Sequence, residues 1–168
     1  MPLRRIRIFA MDVDGTLTDG RIHLDDTGVE TKSFSVRDGF AIKHLHLAGL
    51  KTAFISGRNS PLVTNRAREL GVTEVFQGLE NKVDAIQQIC ERHDLALFEV
   101  GYIGDDLNDL PVMRQVGYAF AVADARDEVK EFAHFVTSAP GGGGAVSEAA
   151  EKLLRAQGKW DQVLARYL

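Results

Sequence analysis

The sequence predicts an α/β protein built on a doubly wound, mostly parallel sheet. Short apolar runs with strand character alternate with longer segments in which apolar residues recur every three or four positions. Acidic residues directly follow two of the apolar runs, and open α/β sheets bind their ligands at that end of the strands. These observations together indicate a sheet flanked by helices, with a site at its carboxyl edge.

Six strands and six helices carry this pattern. The predicted strands are Arg5–Asp12, Thr52–Ser56, Glu74–Gln77, Val100–Ile103, Ala119–Val122 and His134–Val136. The predicted helices are Gly39–Ala48, Pro61–Leu70, Lys82–His93, Leu110–Val116, Asp127–Phe132 and Ala145–Ala156. The residues expected in the core include Phe40, Leu45, Phe54, Val63, Leu70, Val83, Ile86, Ile89, Ile103 and Phe120.

Two segments depart from the alternation. Residues 20–35 contain two strand-like runs around Asp25-Asp26-Thr27-Gly28, which predicts a small β-hairpin inserted after the first strand. Residues 139–144 are rich in glycine, so we expect a flexible link to the last helix. The 168 residues, 45% of them hydrophobic, are enough for one sizeable core, and residues 1–168 are predicted to form a single domain.

Composition argues against two classes of partner. Lys and Arg number 20 against 24 Asp and Glu, and a net charge of -4 provides no basic surface for a nucleic acid or an anionic membrane. No run approaches the roughly 20 apolar residues that span a bilayer. Cys90 has no second cysteine to pair with, which fits a reducing cytoplasm. We therefore expect a cytoplasmic protein whose partner is a small molecule.

Two acidic clusters follow predicted strands. Asp12 and Asp14 follow the first strand, and Asp105, Asp106 and Asp109 follow the fourth. A solvated Asp-x-Asp-Gly turn would account for the first cluster alone, and a helix N-terminus would favour Asp109. Neither accounts for both clusters, because packed carboxylates repel unless a cation neutralises them. Oxygen ligands are those that Mg²⁺ prefers, so a magnesium site is predicted.

Further residues suit a phosphate group. Ser56 and Gly57 follow the second strand, and Lys82 opens a helix. A hydroxyl, backbone N–H groups and a lysine are the donors that phosphoryl oxygens accept from. Each feature alone is also typical of a turn or of a surface charge. Their order along the chain, each near the end of a predicted strand, favours a phosphate site.

These motifs, in this order, resemble those of the haloacid dehalogenase superfamily of phosphotransferases, whose core is Rossmann-like. The resemblance covers essentially the whole chain. It implies that Asp12 attacks phosphorus, that Asp14 acts as acid and then base, and that Ser56, Gly57 and Lys82 bind the phosphoryl group. It also implies a Mg²⁺ ion held by Asp12, the Asp14 carbonyl and Asp105, and supported by the further loop residues Asp106, Asn108 and Asp109.

The short intervals between the motifs leave no room for a separate cap domain, and the chain resembles the capless sugar-acid phosphatases that act on 3-deoxy-D-manno-octulosonate 8-phosphate (KDO 8-phosphate). The shared stretches are residues 12–20, 34–39, 104–113, 122–125 and 143–146. The resemblance implies a homotetramer whose subunits cover one another's sites. It also implies that Arg58 faces the substrate carboxylate, and it makes Arg66 a candidate for reaching a neighbour's site, with an exposed helix charge as the alternative.

Other functions remain open. Ser147 stands where the subgroup usually has an arginine in its tail, so a nine-carbon 9-phosphate, another sugar acid or a small phosphate ester remains an alternative substrate. A receiver-like signalling module also combines paired acids, a hydroxyl and a lysine. It needs a lasting phosphoryl group, whereas Asp14 supplies an acid and base for turnover. An inactive scaffold for oligomerisation is the third alternative.

Overall fold

A six-stranded parallel sheet organises residues 2–168, the part of the chain that the computed structural model describes. Its strands are β1 (Ile8–Asp12), β4 (Lys51–Ile55), β5 (Glu74–Phe76), β6 (Val100–Gly104), β7 (Tyr118–Ala121) and β8 (Phe135–Val136). A separate antiparallel hairpin consists of β2 (His23–Leu24) and β3 (Glu30–Thr31). The order in the main sheet is β5-β4-β1-β6-β7-β8, and every neighbouring pair is parallel.

The chain changes direction across the sheet at β1. It runs from β1 outward to β4 and β5, then returns to the other side of β1 and continues through β6, β7 and β8. The strands on either side of β1 are in register with it, with Asp12 opposite Ile55 and Met11 opposite Ile103. Such a reversal opens a crevice at the carboxyl ends of the central strands. Asp12 lies at that crevice.

Helices cover both faces of the sheet. They are α1 (Val36–Leu47), α2 (Pro61–Leu70), α3 (Lys82–His93), α4 (Leu110–Met113), α5 (Asp127–Phe132), α6 (Ala145–Ala156) and α7 (Trp160–Leu164). Helix α1 packs against α2 and α6, whereas α3, α4 and α5 pack in a row. Strands β1 and β6 are buried along their whole length, as expected for parallel strands covered on both sides.

Local signals position the helices that border the crevice. The Ser35 side chain accepts a hydrogen bond from the Asp38 N–H at 3.4 Å and so caps α1. The Asn81 side chain accepts from the Val83 N–H at 3.1 Å and caps α3. This second cap makes Lys82 the first residue of α3, where it faces the carboxyl edge of the sheet.

The predicted fold class and the inserted hairpin are confirmed, and most element boundaries are met within a few residues. The predicted start of the first strand is wrong, because Pro2–Arg5 form a short 3₁₀ helix before β1. Helix α1 begins at Val36, three residues before its predicted start. Phe40 was expected in the core but is 54% exposed, because it lies on the outer face of α1.

The glycine-rich segment packs against the first motif. The Gly141 N–H donates to Asp124 Oδ1 at 2.8 Å, and the Gly142 N–H donates to the Thr16 carbonyl at 3.0 Å. A Cβ atom on Gly141 would lie 1.7 Å from the Gly15 carbonyl oxygen, so only glycine fits there. The glycine-rich segment therefore has fixed contacts in the structure. The flexibility expected of residues 139–144 stays a prediction.

Among residues 2–168, no helix is at once long enough and apolar enough to cross a membrane.

Candidate active site

Three strand ends bring the predicted motifs together. Asp12 ends β1, Ser56 follows β4 and Asp105 follows β6. Because β4 and β6 are the two neighbours of β1, their carboxyl ends meet at one place on the edge of the sheet. Residues separated by more than 40 positions in the chain therefore share one crevice.

Lys82 lies at the centre of this crevice. Its Nζ donates a short hydrogen bond to Asp12 Oδ1 and another to Asp109 Oδ1 at 2.7 Å. The three side chains are at most 6% exposed. The two carboxylates face each other across one ammonium group, so the centre carries an excess of negative charge.

Asp109 is the most heavily bonded carboxylate of the site. Besides Lys82, its Oδ1 accepts from the Tyr102 hydroxyl at 2.6 Å. Its Oδ2 accepts from the backbone N–H groups of Asp105 at 2.9 Å and Asp106 at 3.2 Å. These bonds fix the loop after β6 and orient Lys82. Since both of its oxygens are occupied, Asp109 supports the centre through its neighbours.

The electrostatics of the site favour a bound cation. Burial, together with repulsion from Asp109 and Asp105, raises the pKa of Asp12 well above its usual value despite the opposing effect of Lys82. Burial and repulsion from Asp109 raise the pKa of Asp105 to about 6. Burial alone would lower the pKa of Lys82, but Asp12 and Asp109 outweigh it and raise that pKa to about 12.

The geometry fits a metal ion as well. Asp12, Asp105 and Asp109 each offer a carboxylate oxygen, and these oxygens lie within 4.8 Å of one another. Asp12 Oδ2 is buried and, within residues 2–168, has no hydrogen-bond partner. A buried oxygen without a donor is costly unless a cation binds it. Asp12 and Asp105 could therefore hold a hard divalent cation, to which oxygen ligands are suited.

The turn after β1 has a geometry that requires glycine. Gly15 has a φ of 102°, and a Cβ atom there would lie 2.1 Å from Asp105 Oδ2. This close approach allows the Asp14 turn to lie against the Asp105 loop. The Asp14 carboxylate accepts from the Ser56 hydroxyl at 3.2 Å, which joins the first motif to the second.

The hairpin contributes two residues that were not predicted for the site. Lys32 Nζ donates a short hydrogen bond to Asp14 Oδ1 and lies 2.9 Å from Glu30 Oε1. The Lys32 side chain is only 1% exposed, so it is packed into the crevice rather than solvated. Glu30 begins β3 and Lys32 directly follows it, so the two side chains, two positions apart, lie on the same side of the chain, a signal the sequence contained.

Arg58 lies beside the crevice and is bonded to another side chain. Its Nη2 donates to both carboxylate oxygens of Glu30, at 3.3 Å each. Its backbone N–H donates to the Ser56 hydroxyl at 3.1 Å. The Ser56-Gly57-Arg58 turn therefore presents a hydroxyl inward and a guanidinium toward the hairpin, with Gly57 exposed between them.

Three other predicted residues lie differently. The Arg66 side chain is 17% exposed and donates to Glu69 at 2.8 Å and to the Ser35 carbonyl at 3.4 Å, and its reach toward a neighbour's site stays a prediction. Asp106 is exposed and caps the following 3₁₀ helix by accepting from the Leu107 N–H at 2.7 Å. Asn108 is exposed too. The structure does not bring these three into the central cluster.

Tyr102 was also missed as a contributor. It lies in the middle of a buried strand, and a buried tyrosine hydroxyl generally needs a hydrogen-bond partner. That partner, Asp109, follows the end of the same strand. The tyrosine within an otherwise apolar strand was the available signal.

Comparison with known proteins identifies the family. Residues 72–149 match the model of haloacid dehalogenase-like hydrolases. The chain is 44% identical over 157 residues to 3-deoxy-D-manno-octulosonate 8-phosphate phosphatase KdsC of Escherichia coli K12, which covers 94% of this chain and 84% of that protein. The chain belongs to the KDO 8-phosphate phosphatase family.

Solved structures of this family superpose closely. The phosphatase of Moraxella catarrhalis, determined in complex with a magnesium ion, a phosphate ion and KDO, is 37% identical with a TM-score of 0.97, covering 99% of this chain and 96% of that one. The cobalt-bound phosphatase of Haemophilus influenzae is 42% identical with a TM-score of 0.91, covering 95% and 93%. These similarities extend over the whole sheet and the crevice at its edge.

Proposed function

We propose that this protein is a Mg²⁺-dependent phosphatase that hydrolyses KDO 8-phosphate to KDO and inorganic phosphate. The observation that carries the proposal is the convergence of Asp12, Asp14, Ser56, Lys82 and Asp105 at the reversal point of the sheet. The family of the chain supports the same activity, since its relative from Moraxella catarrhalis was solved with magnesium, phosphate and KDO.

In the first half of the reaction, Asp12 is the nucleophile. A carboxylate oxygen of Asp12 forms a bond to phosphorus while the bond from phosphorus to the sugar oxygen breaks. Asp14 donates a proton to that leaving oxygen, which departs as the alcohol. Lys82 compensates the charge on the phosphoryl oxygens and on Asp12, and Ser56 donates a hydrogen bond to the phosphoryl group.

In the second half, Asp14 acts as the base. It removes a proton from a water molecule as the water oxygen attacks the phosphorus of the aspartyl phosphate. The bond from phosphorus to Asp12 breaks, inorganic phosphate leaves, and the Asp12 carboxylate is restored. The Lys32 ammonium, bonded to Asp14, holds this carboxylate in place.

The metal requirement follows from the carboxylates. Asp12, Asp105 and the backbone carbonyl of Asp14 would hold Mg²⁺, while Asp109 supports them through Lys82 and the backbone of the Asp105 loop. When bound, the ion supplies the positive charge that keeps Asp12 and Asp105 ionised and that offsets the charge on the transferred phosphoryl group. Asp106 and Asn108 would contribute to the shape of the loop.

The proposal includes an assembly and a compartment. The hairpin exposes three apolar side chains, Ile22, Leu24 and Val29, to between 53% and 63%. We place them at the contacts of a homotetramer in which neighbouring subunits cover one another's crevices. Light scattering of the purified protein would give the mass of four chains. The unpaired Cys90 thiol is compatible with a cytoplasmic enzyme.

Phosphate release from a panel of esters tests the proposal. The purified protein is given KDO 8-phosphate, a nine-carbon sugar-acid 9-phosphate, glucose 6-phosphate and p-nitrophenyl phosphate, with Mg²⁺ and with a chelator. We expect the highest kcat/KM for KDO 8-phosphate and no turnover with the chelator. Equal, slow turnover of all four esters would contradict the substrate assignment. Full activity with the chelator would contradict the metal requirement.

A further inference from the structure

Four charged side chains form a continuous series from the catalytic crevice to its mouth. Asp14 is bonded to Lys32, Lys32 Nζ lies 2.9 Å from Glu30 Oε1, and Glu30 accepts from Arg58 at 3.3 Å. The Asp14 side chain is 23% exposed, and beyond it the exposed fraction rises from 1% for Lys32 through 20% for Glu30 to 39% for Arg58. The two positive and two negative charges balance.

The Glu30 carboxylate lies in surroundings suited to a carboxylate. It is held between an ammonium and a guanidinium, the two donors that recognise carboxylates in proteins. Glu30 has no role in the two steps of phosphoryl transfer. Its carboxylate is nonetheless bonded to Lys32, which is bonded in turn to Asp14, the residue that protonates the leaving oxygen. A sugar acid with a phosphate ester at one end and a carboxylate at the other carries the same two kinds of group.

The element that carries Glu30 is only lightly held. The hairpin pairs two residues from each strand, His23 with Thr31 and Leu24 with Glu30. Two-stranded ribbons this short are marginal in water. Lys32, bonded to Asp14, and Glu30, bonded to Arg58, attach the hairpin to the crevice. Because the hairpin is separate from the main sheet, Glu30 can leave its two partners without breaking a hydrogen bond of that sheet.

We infer that Glu30 is an internal competitor for the substrate carboxylate: a sugar-acid phosphate binds by displacing the Glu30 carboxylate from Lys32 and Arg58. The inference rests on the proposed function, and it assigns Glu30 and Lys32 to substrate specificity. A substrate with its own carboxylate replaces the ion pairs that it breaks. An ester without one leaves Glu30 in place across the mouth of the crevice and gains nothing from either cation.

The substitution Glu30→Gln tests the inference, because it removes the competing charge and keeps the size of the side chain. KM for KDO 8-phosphate is expected to fall between about three- and tenfold, while KM for glucose 6-phosphate stays unchanged. The inhibition constant of free KDO against glucose 6-phosphate hydrolysis should fall by the same factor, which gives a second reading that does not depend on turnover of the sugar-acid ester.

The matched control is Asp26→Asn, which removes the same charge from an exposed residue of the same hairpin. It should leave both KM values unchanged. If Glu30→Gln lowers KM equally for both esters, Glu30 acts through general repulsion of anions and the inference fails. An unchanged or raised KM for KDO 8-phosphate overturns it as well.

Lys32→Met provides an independent reading. Lys32 contacts Asp14, so kcat should fall by a similar factor for both esters, but KM should rise about tenfold only for KDO 8-phosphate. If the KM for KDO 8-phosphate is the same in Lys32→Met as in the wild type, Lys32 takes no part in substrate recognition.

The wild-type enzyme distinguishes a failure of the proposed function from a failure of this inference. If it shows no preference for KDO 8-phosphate over glucose 6-phosphate, the proposed function itself fails. A preference that persists unchanged in Glu30→Gln contradicts only the present inference.

Discussion

The centre of the crevice and its hairpin border contain the same kinds of charged residue in different settings. Asp12, Lys82 and Asp109 are at most 6% exposed and lie at the ends of elements in the main sheet and its helices. Glu30 begins a two-residue strand that Lys32 directly follows, and the partner of Glu30, Arg58, is 39% exposed. Rigid support suits groups that must align for chemistry. A lightly held border suits groups that exchange partners when a substrate binds.

The two regions also differ in electrostatic strength. Ion pairs removed from water interact more strongly, and a charge that loses its partner there is costly. Lys32 at the border is as buried as Lys82, but the pair between Glu30 and Arg58 is partly exposed and contributes less, because solvent and salt screen it. Substitutions in the centre should therefore change kcat for every ester and also change stability. Substitutions at the border should change selectivity among esters.

The largest effect is expected from Asp12→Asn. The amide cannot form the aspartyl phosphate, so kcat should fall by at least about 10³-fold for every ester. Phosphate release measures the activity, and circular dichroism checks that the fold is retained. Substantial residual hydrolysis by the folded variant would contradict the role of Asp12.

Lys82→Met should be nearly as severe. Without the ammonium, Asp12 and Asp109 face each other uncompensated, so kcat should fall by about 10²-fold or more. The free energy of unfolding in urea should fall by about 3–5 kcal/mol in the absence of Mg²⁺. Lys43→Met, at an exposed position of α1, is the control and should change neither quantity. A stable and active Lys82→Met enzyme would show that the centre does not depend on this cation.

Arg58→Gln should separate the two regions. Loss of the guanidinium removes a donor to the substrate carboxylate, so KM for KDO 8-phosphate should rise about tenfold. The kinetics of glucose 6-phosphate hydrolysis should not change, because that ester carries no carboxylate. Parallel losses for both esters would mean that Arg58 belongs functionally to the centre.

The smallest effect concerns the junction between α1 and α6. Asp38 is buried and accepts from the Ser147 N–H at 2.8 Å, which links α1 to the start of α6. Burial raises the pKa of Asp38 above its usual value near 3.8. The folded state therefore holds the proton of the Asp38 carboxyl group more tightly than the unfolded state does. The stability that this difference contributes is present at low pH and is lost as pH rises through the raised pKa.

Asp38→Asn should remove this dependence. The free energy of unfolding of the wild type, relative to that of Asp38→Asn, should decrease between pH 4 and pH 7, by about 1.4 kcal/mol for each unit of pKa shift. Urea denaturation of both proteins across this range measures the difference. A difference that is constant or grows with pH would contradict the sign. The activity of the folded variant at neutral pH should change little, because Asp38 is outside the centre.

The sequence was sufficient for the sheet and for much of the centre. Continuous apolar runs identify buried parallel strands, and acids at their ends are necessarily brought to one edge. Asp12 and Asp105 are the acids predicted in this way, and Ser56 was predicted from its position at the end of another such strand. Lys82 was predicted as a phosphate ligand from its position at a helix start, but its bonds to both Asp12 and Asp109 depend on the packing of α3 against the sheet.

The border was harder to predict because its contacts join distant parts of the chain through side chains. The alternation in the hairpin could place Glu30 and Lys32 on one face, but not show that this face turns toward Asp14. Arg66 had the same difficulty: a helical arginine seldom reveals that its guanidinium is bonded to the backbone of another segment. Phe40 was expected in the core, yet periodicity alone could not distinguish the covered face of α1 from its exposed edge.

The most direct test of the account is to identify the phosphoryl group on Asp12. The enzyme is mixed with Mg²⁺ and KDO 8-phosphate, quenched in acid within one turnover and digested, and the peptides are analysed by mass spectrometry. We predict a phosphoryl group on the peptide that contains Asp12, located on the Asp12 side chain by fragmentation, and none when the phosphate ester is omitted or in the Asp12→Asn variant. Rapid phosphate release with no phosphorylated peptide, or with the label on another residue, would contradict the proposed mechanism.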